Sequence, residues 1–285
     1  MQRTVPPTEA EAIALVRHAL EAGCGIDTAR VYVNAERRVG LAITGLPTGD
    51  DLPLVTKLSP LPGIAPDDRA AARAAARASI QESRAALGLD RLPTVLLHRA
   101  EQRTAWDGAV WRELLELVRH RTIGILGASV QTVEELTAAL ADPDIRHVQL
   151  PLNPLDARWF TPPAAAAIAA RPDVTIHVRS IYLQGILLRD AAAWPKVVSP
   201  TPLLAWLDGW AKRLGRSRAG LCLAYVRATD WVHGVVVGAE NRGQLDDNLH
   251  LFAEAPLTRP ERAAMDADRP TVPDTLVNPA LWPRT

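Results

Sequence analysis

The sequence predicts an α/β fold: a parallel sheet of the (β/α)8 TIM-barrel type in which seven strands are recognisable and the first is missing. Three observations predict it. Short apolar runs alternate with helical patterns of ten or more residues, the signature of parallel strands joined by crossover helices. Along the series these runs end on polar residues (Asp27, Lys57, His98, Ser129), as barrels present reactive groups at the C-terminal ends of their strands. An open doubly wound sheet would gather its site at one switch point instead. Finally, the alternation starts on a helix, which leaves one strand unaccounted for. No break in composition interrupts the alternation, so the 285 residues read as one domain, with a core over about 8–251 and a tail over 252–285.

The elements follow in order. Thr8-Glu9-Ala10-Glu11 is a capping box, and Ile13, Val16, Ala19 and Leu20 continue it at helical spacing toward Gly23. Residues 24–27 fit a short strand, 34–43 a helix and 54–57 a strand. Residues 66–87 are rich in alanine and arginine, both strong helix formers, and Arg69, Arg73, Arg77 and Arg84 are spaced as one solvated face. A strand over 94–98 precedes an amphipathic helix over 106–120. Then come a strand over 122–129, a helix over 132–141, a strand over 147–152, a short helix over 164–170 and a strand over 174–180. Helices over 202–214 and 217–228 lead to a last strand over 231–237 and a helix over 244–252. The proline-rich tail reads as extended.

Composition narrows the function. Lys+Arg and Asp+Glu both number 32, so no net field favours nucleic acid or an anionic membrane. An apolar fraction of 48% with 22% charged residues suits a globular core. Cys24 and Cys222 form no motif and read as buried free thiols. The N-terminal residues have no signal-peptide pattern, and no run approaches the roughly 18 apolar residues of a membrane span. A cytoplasmic protein is expected.

Four residues at or just after strand ends are of the types that carbonyl reduction needs. Reduction requires an acid to protonate the developing alkoxide, and a phenol near its ordinary pKa of ~10 is a weak one at neutral pH. A nearby ammonium favours phenolate, a carboxylate holds the ammonium, and an imidazole orients the carbonyl. Tyr32, Lys57, Asp27 and His98 would fill those four roles.

These four residues, in this order, resemble the tetrad of the aldo-keto reductases, with particular likeness to the bacterial and shaker-related branches. Asp27-Thr28-Ala29, Tyr32 and Glu36 resemble the family's Asp-Thr-Ala-x-x-Tyr-Gly-x-Ser-Glu segment, with Val33 for glycine and Ala35 for serine. Thr56-Lys57, Leu96-Leu97-His98, the glycine-containing run ending in Ser129, and Val148-Gln149 followed by Asn153 resemble further strand ends. Arg179-Ser180 through Gly185, and Gly238 with Gln244-Leu245 and Asn248, resemble its later segments.

The resemblance implies an NAD(P)H-dependent reductase of a small-molecule carbonyl substrate, with NADP ahead of NAD. Ser129 and Gln149 would hold the carboxamide, Arg179 would lie where many members stack an aromatic on the nicotinamide, and Ser180 would take the pyrophosphate side. Gly238, Gln244 and Asn248 would embrace the adenosine end, and Arg242 is the candidate for a 2′-phosphate, with Asp246 and Asp247 close by. Val130 departs from the asparagine common there. No metal site is expected. Family members also open with a strand carrying a Gly-Thr pair, for which only Met1 to Pro7 is left here. A start upstream, cover by the tail or another chain, and a working open barrel are the alternatives, and an exposed edge favours a homodimer. A redox-neutral lyase, dehydratase or epimerase, or a silent binding subunit, is the alternative function. Trp106, Trp159 and Trp194 are candidates to line an apolar pocket.

Overall fold

A computed structural model describes residues 7–46 and 52–283. The expectation that the N-terminal residues hold no strand falls on residues 1–6, outside the described ones. Seven parallel strands run side by side in chain order: β1 (Ile26–Asp27), β2 (Leu54–Lys57), β3 (Leu92–Leu97), β4 (Ile123–Ser129), β5 (His147–Pro151), β6 (Thr175–Arg179) and β7 (Gly234–Val235). The sheet curls as a partial (β/α)8 barrel, because each right-handed crossover returns the chain to the same side. Among the described residues no strand joins β7 back to β1.

Helices cover the outside: α1 (Glu9–Glu21), α2 (Ala35–Ile43), α3 (Arg69–Leu87), α4 (Ala109–Arg119), α5 (Val133–Leu140), α6 (Pro162–Ala169), α7 (Pro200–Arg213), α8 (Arg218–Arg227) and α9 (Arg242–Ala253). α1 starts on the expected capping box, with Glu11 N–H donating to Thr8 Oγ1 and Thr8 N–H to Glu11 Oε2. The core runs continuously from Val39 to Val277 between sheet and helices. At Gly127 in β4 a β-carbon would lie 2.0 Å from the His147 carbonyl oxygen, so only glycine lets β4 and β5 approach this closely.

Four expectations need correction. The helix expected from Trp106 begins at Ala109, because Trp106 and Asp107 take positive φ while the Trp106 indole N–H donates to Ala65 O. The last strand shrinks to two residues, paired with β6 only through His177 and Val178. The arginine face of α3 is not simply solvated: Arg73 and Arg77 each reach the fully buried Glu113 of α4 at 2.5 Å. The tail is helical, with α10 (Arg259–Ala267) opened by a Thr258–Glu261 capping box and followed by α11 (Asp274–Val277).

That tail docks on the sheet's later half. Tyr225 Oη donates to Asp266 Oδ1 at 2.8 Å, the Arg269 Nε–H donates to Pro154 O, and Arg158 reaches Val277 O. None of these three bonds touches β1 or β7.

Candidate active site

The C-terminal ends of the strands build the site, beginning with the turn after β1. Thr28 N–H donates to Val55 O, so β1 keeps its pairing with β2 up to the residue after Asp27. Glu36, at the start of α2 and buried, then clamps the turn. It accepts from Thr56 Oγ1 at 2.7 Å and from Arg30 Nη1 at 2.9 Å. A buried carboxylate satisfied on both sides is a strong fixture, since each partner removed would leave charge unpaired. This explains why a Thr-Lys strand end accompanies the Asp-Thr-Ala…Tyr…Glu segment: threonine and glutamate meet and hold the loop that carries Tyr32.

Inside that frame Asp27, Tyr32, Lys57 and His98 come together. The buried Lys57 Nζ donates to Asp27 Oδ1 at 2.5 Å and to Thr28 O at 3.0 Å. It stands 5.7 Å from the centre of the half-exposed Tyr32 ring. The Tyr32 and His98 rings meet edge to face with centres 6.3 Å apart. His98 Nδ1 is buried without a partner among the described residues. Gln149 joins the group from β5, its Nε2–H donating to Asp27 Oδ2 at 2.8 Å. Sequence placed Gln149 toward a cofactor; its bond to Asp27 is a contact the sequence did not signal.

Electrostatics refine the four roles. Burial lowers the Lys57 pKa against the pull of Asp27, and burial, with the Lys57, Arg179 and Arg99 cations, lowers His98, which favours a neutral imidazole. The Tyr32 phenol is pushed up, first by burial and then by the Asp27 charge; the cation that pulls it down is Arg179. The expected net lowering of the Tyr32 phenol is therefore not met in the free protein, where burial and the Asp27 charge prevail over the nearby cations.

The cofactor candidates occupy the rim. Ser129 ends β4 and is buried. Arg179 ends β6 and donates from Nη2 to Gln131 Oε1 at 3.0 Å and to Val130 O at 3.2 Å. Ser180 follows at φ 58°, turning the chain sharply away from the strand. Gly238 is open, and a β-carbon there would meet nothing within 4 Å. Its conformation suits any residue, so the chain's own packing does not call for glycine. Gln244 N–H is capped by Asn241 Oδ1, and Gln244 Oε1 accepts from Glu240 N–H, which closes the first turn of α9 on itself. Asn248 lies half-buried one turn further on. Arg242 is exposed and only 3.6 Å from Asp246 Oδ2. The space at Gly238 and the unpartnered His98 Nδ1 fit a dinucleotide lying along this rim. Trp159 is fully buried, with its indole N–H on Asp156, and Trp194 is buried too, so both are packing rather than pocket lining.

A curled parallel sheet with a Lys–Asp pair, a phenol and an imidazole at its strand ends defines the class of barrel oxidoreductases that reach their cofactor across the barrel mouth. The family model described as the aldo/keto reductase family matches residues 2–268. This chain belongs to that family and is an NAD(P)-dependent oxidoreductase. Among solved structures, the holo form of an aldo-keto reductase from Bacillus halodurans superposes with a TM-score of 0.76 at 22% identity, covering 93% of this chain and 89% of the other. A Bombyx mori aldo-keto reductase in complex with NADP gives 0.66 at 23%, covering 93% and 85%. One from Brucella melitensis gives 0.64 at 21%, covering 91% and 88%. At these identities the likeness is one of fold. No curated protein matches at the sequence level.

Proposed function

We propose that this chain reduces the carbonyl of a small aldehyde or ketone, with Tyr32 as general acid. The observation that carries the reading is the convergence of Tyr32, His98 and the Asp27–Lys57 pair, 2.5 Å apart, at neighbouring strand ends. A reduced nicotinamide, when bound, supplies the hydride to the carbonyl carbon. The neutral imidazole of His98 donates toward the carbonyl oxygen and orients it. The Tyr32 phenol gives its proton to that oxygen as charge develops there, so carbonyl, hydride and proton together make the alcohol. Lys57 and Asp27 hold the floor of the site, and Gln149 fixes the second Asp27 oxygen.

NADP is the preferred cofactor, on the strength of Arg242 beside Gln244 and Asn248; the Asp246 carboxylate next to it tempers that preference. Ser129 and Gly238 supply the carboxamide and adenosine ends, and Ser180 the pyrophosphate side. No helix of the described residues is long and apolar enough to cross a membrane, which fits a cytoplasmic enzyme, and the open edge between β1 and β7 fits a homodimer.

Tyr32→Phe tests the reading. Expected is a loss of turnover of about 10²–10⁴-fold, with NADPH affinity, read from quenching of tryptophan fluorescence, unchanged. A Tyr32→Phe enzyme that still reduces aldehydes at the native rate sinks it and leaves a redox-neutral reaction or a binding role.

A further inference from the structure

Among the described residues no strand joins β7 to β1, yet the helices outside those strands do meet. α1 is anchored on α2, with Arg17 donating from Nε to Ala42 O at 3.1 Å and from Nη2 to Leu41 O at 3.3 Å. It also packs against α9, where His18 Nε2 lies 2.6 Å from Asp246 Oδ1. The His18 bond, ahead of the Arg242 charge, holds the Asp246 carboxyl below its ordinary pKa, so the group is ionised. An ionised carboxylate only accepts hydrogen bonds, and His18 is therefore the donor.

The contact matters because of what Asp246 would otherwise do. Arg242 and Asp246 stand four residues apart on one face of α9, a spacing at which opposite charges join readily. Here Arg242 Nε is 3.6 Å from Asp246 Oδ2, beyond a hydrogen bond. The other oxygen of the same carboxylate is taken by His18. Asp246 is thus drawn toward α1, and the exposed Arg242 guanidinium makes no hydrogen bond among the described residues. Asp247 is next in sequence but lies further round the helix from Arg242.

We propose that His18 is a specificity-determining residue for the cofactor: by holding Asp246 toward α1, it keeps Arg242 free for the 2′-phosphate that distinguishes NADPH from NADH. This role rests on the cofactor reading above, which puts the 2′-phosphate at Arg242. An arginine without a partner offers phosphate a forked set of charged donors. One paired with a carboxylate of its own helix offers fewer donors and a cancelled charge. Asp246 still opposes the phosphate, and His18 limits that opposition by acting through Asp246 rather than on the ligand.

NADPH and NADH affinities, read from quenching of tryptophan fluorescence, test the role; low ionic strength is used because salt screens exposed charges. His18→Leu is expected to weaken NADPH binding about threefold and to leave NADH unchanged. Asp246→Asn is expected to tighten NADPH binding by about as much, again without effect on NADH. The double variant decides. Because His18 works only through the carboxylate, adding His18→Leu to Asp246→Asn should change neither affinity. A merely structural link between α1 and α9 would instead weaken both cofactors alike in either background. A His18→Leu protein that melts normally and binds NADPH as tightly as the native chain overturns the proposal. So does a loss that persists beside Asp246→Asn. Arg242→Ala separates this role from the reading beneath it. If Arg242→Ala lowers NADPH affinity and His18→Leu does not, the cofactor placement stands and the role of His18 falls. If Arg242→Ala leaves the preference between NADPH and NADH unchanged, the 2′-phosphate lies elsewhere and both fall.

Discussion

The middle of the sheet and its two margins are built differently, although the same chain alternation makes both. β2 is buried at all four positions and β5 at all five, and α3 and α4 bury six residues each against this region. β1 and β7 are two residues long and half-exposed, and α1 and α9, which flank them, have no buried residue at all. The two marginal helices meet each other, with His18 Nε2 2.6 Å from Asp246 Oδ1. The difference teaches where stability and chemistry reside. The middle carries folding energy, whereas the margins carry Asp27, Tyr32 and Gly238 on a thin support. The Asp27–Lys57 ion pair joins the two regions, since Asp27 belongs to the margin and Lys57 to the middle.

Cavity mutations should expose this contrast most strongly. Leu97 in β3 is fully buried, and Leu97→Ala should lower stability by about 4 kcal/mol. Val235→Ala in β7 should lower it by less than about 1 kcal/mol, because its side chain stays half in water. Urea midpoints at constant m-value would measure both. Amide exchange offers a parallel reading: β3 and β4 should exchange only through global unfolding, and β1 and β7 through local opening. Equal losses for the two substitutions would mean that the margin is as cooperative as the middle.

The pair at the boundary should respond asymmetrically. Asp27→Asn leaves a buried ammonium without a counter-charge and should lower stability by about 3 kcal/mol. Lys57→Met leaves the carboxylate, which is 17% exposed and still accepts from Gln149, and should lower it by only about 1 kcal/mol. Thermal melts of the two variants rank them. The reverse order would place the charge burden on Asp27 and erase the boundary drawn here.

Much of the middle was legible in the sequence because the signals there are local. Short apolar runs ending in Lys57 or Ser129 can be only buried strands between long helices, and the Thr8 capping box sets the start of α1 by itself. That Asp27, Lys57 and His98 would come together was legible for the same reason, as each ends or directly follows a strand, with Tyr32 in the loop after β1. What failed was set by tertiary contacts. Trp106 looks helical, but its indole bond to Ala65 O holds the turn out of the helix. The run before Val237 looks like a full strand, yet only Gly234 and Val235 pair with β6 in strand register. The tail's prolines suggested extension and hid the Thr258-x-x-Glu261 box that opens α10, a signal that was present and overlooked. No pattern could have revealed that Gln149 donates to Asp27 beside Lys57, because that depends on which side chains come near in space.

Three histidines let acid sharpen the same comparison. His147 opens β5 and is buried; His177, in β6, meets it edge to face with ring centres 4.3 Å apart, and the exposed His233 accepts from Ile176 N–H through Nδ1. Burial lowers His147 to about 3, well below its ordinary value. A folded pKa below the unfolded one means that the unfolded chain takes up the proton first, so stability is lost as pH falls from about 6.5 toward about 3. Between pH 7.5 and pH 5 this one residue should remove about 2 kcal/mol. His147→Gln should flatten that part of the profile. If His147→Gln left the slope unchanged, the acid sensitivity would lie with the margin rather than the middle.

The smallest effect on stability is expected at Gly238, where the margin's separate role can be read almost alone. A β-carbon there meets no neighbour, and the backbone conformation is one that any residue adopts, so Gly238→Ala should change stability by less than about 0.5 kcal/mol. The methyl would, however, stand in the space proposed for the adenosine end of the cofactor. NADPH affinity should therefore fall about tenfold, equivalent to roughly 1.4 kcal/mol, with the melting temperature unchanged. A loss of affinity without a loss of stability separates a margin shaped for a ligand from one that is merely poorly packed. Unchanged NADPH affinity in this variant would remove Gly238 from the binding site and move the adenosine end away from the β7–α9 connection.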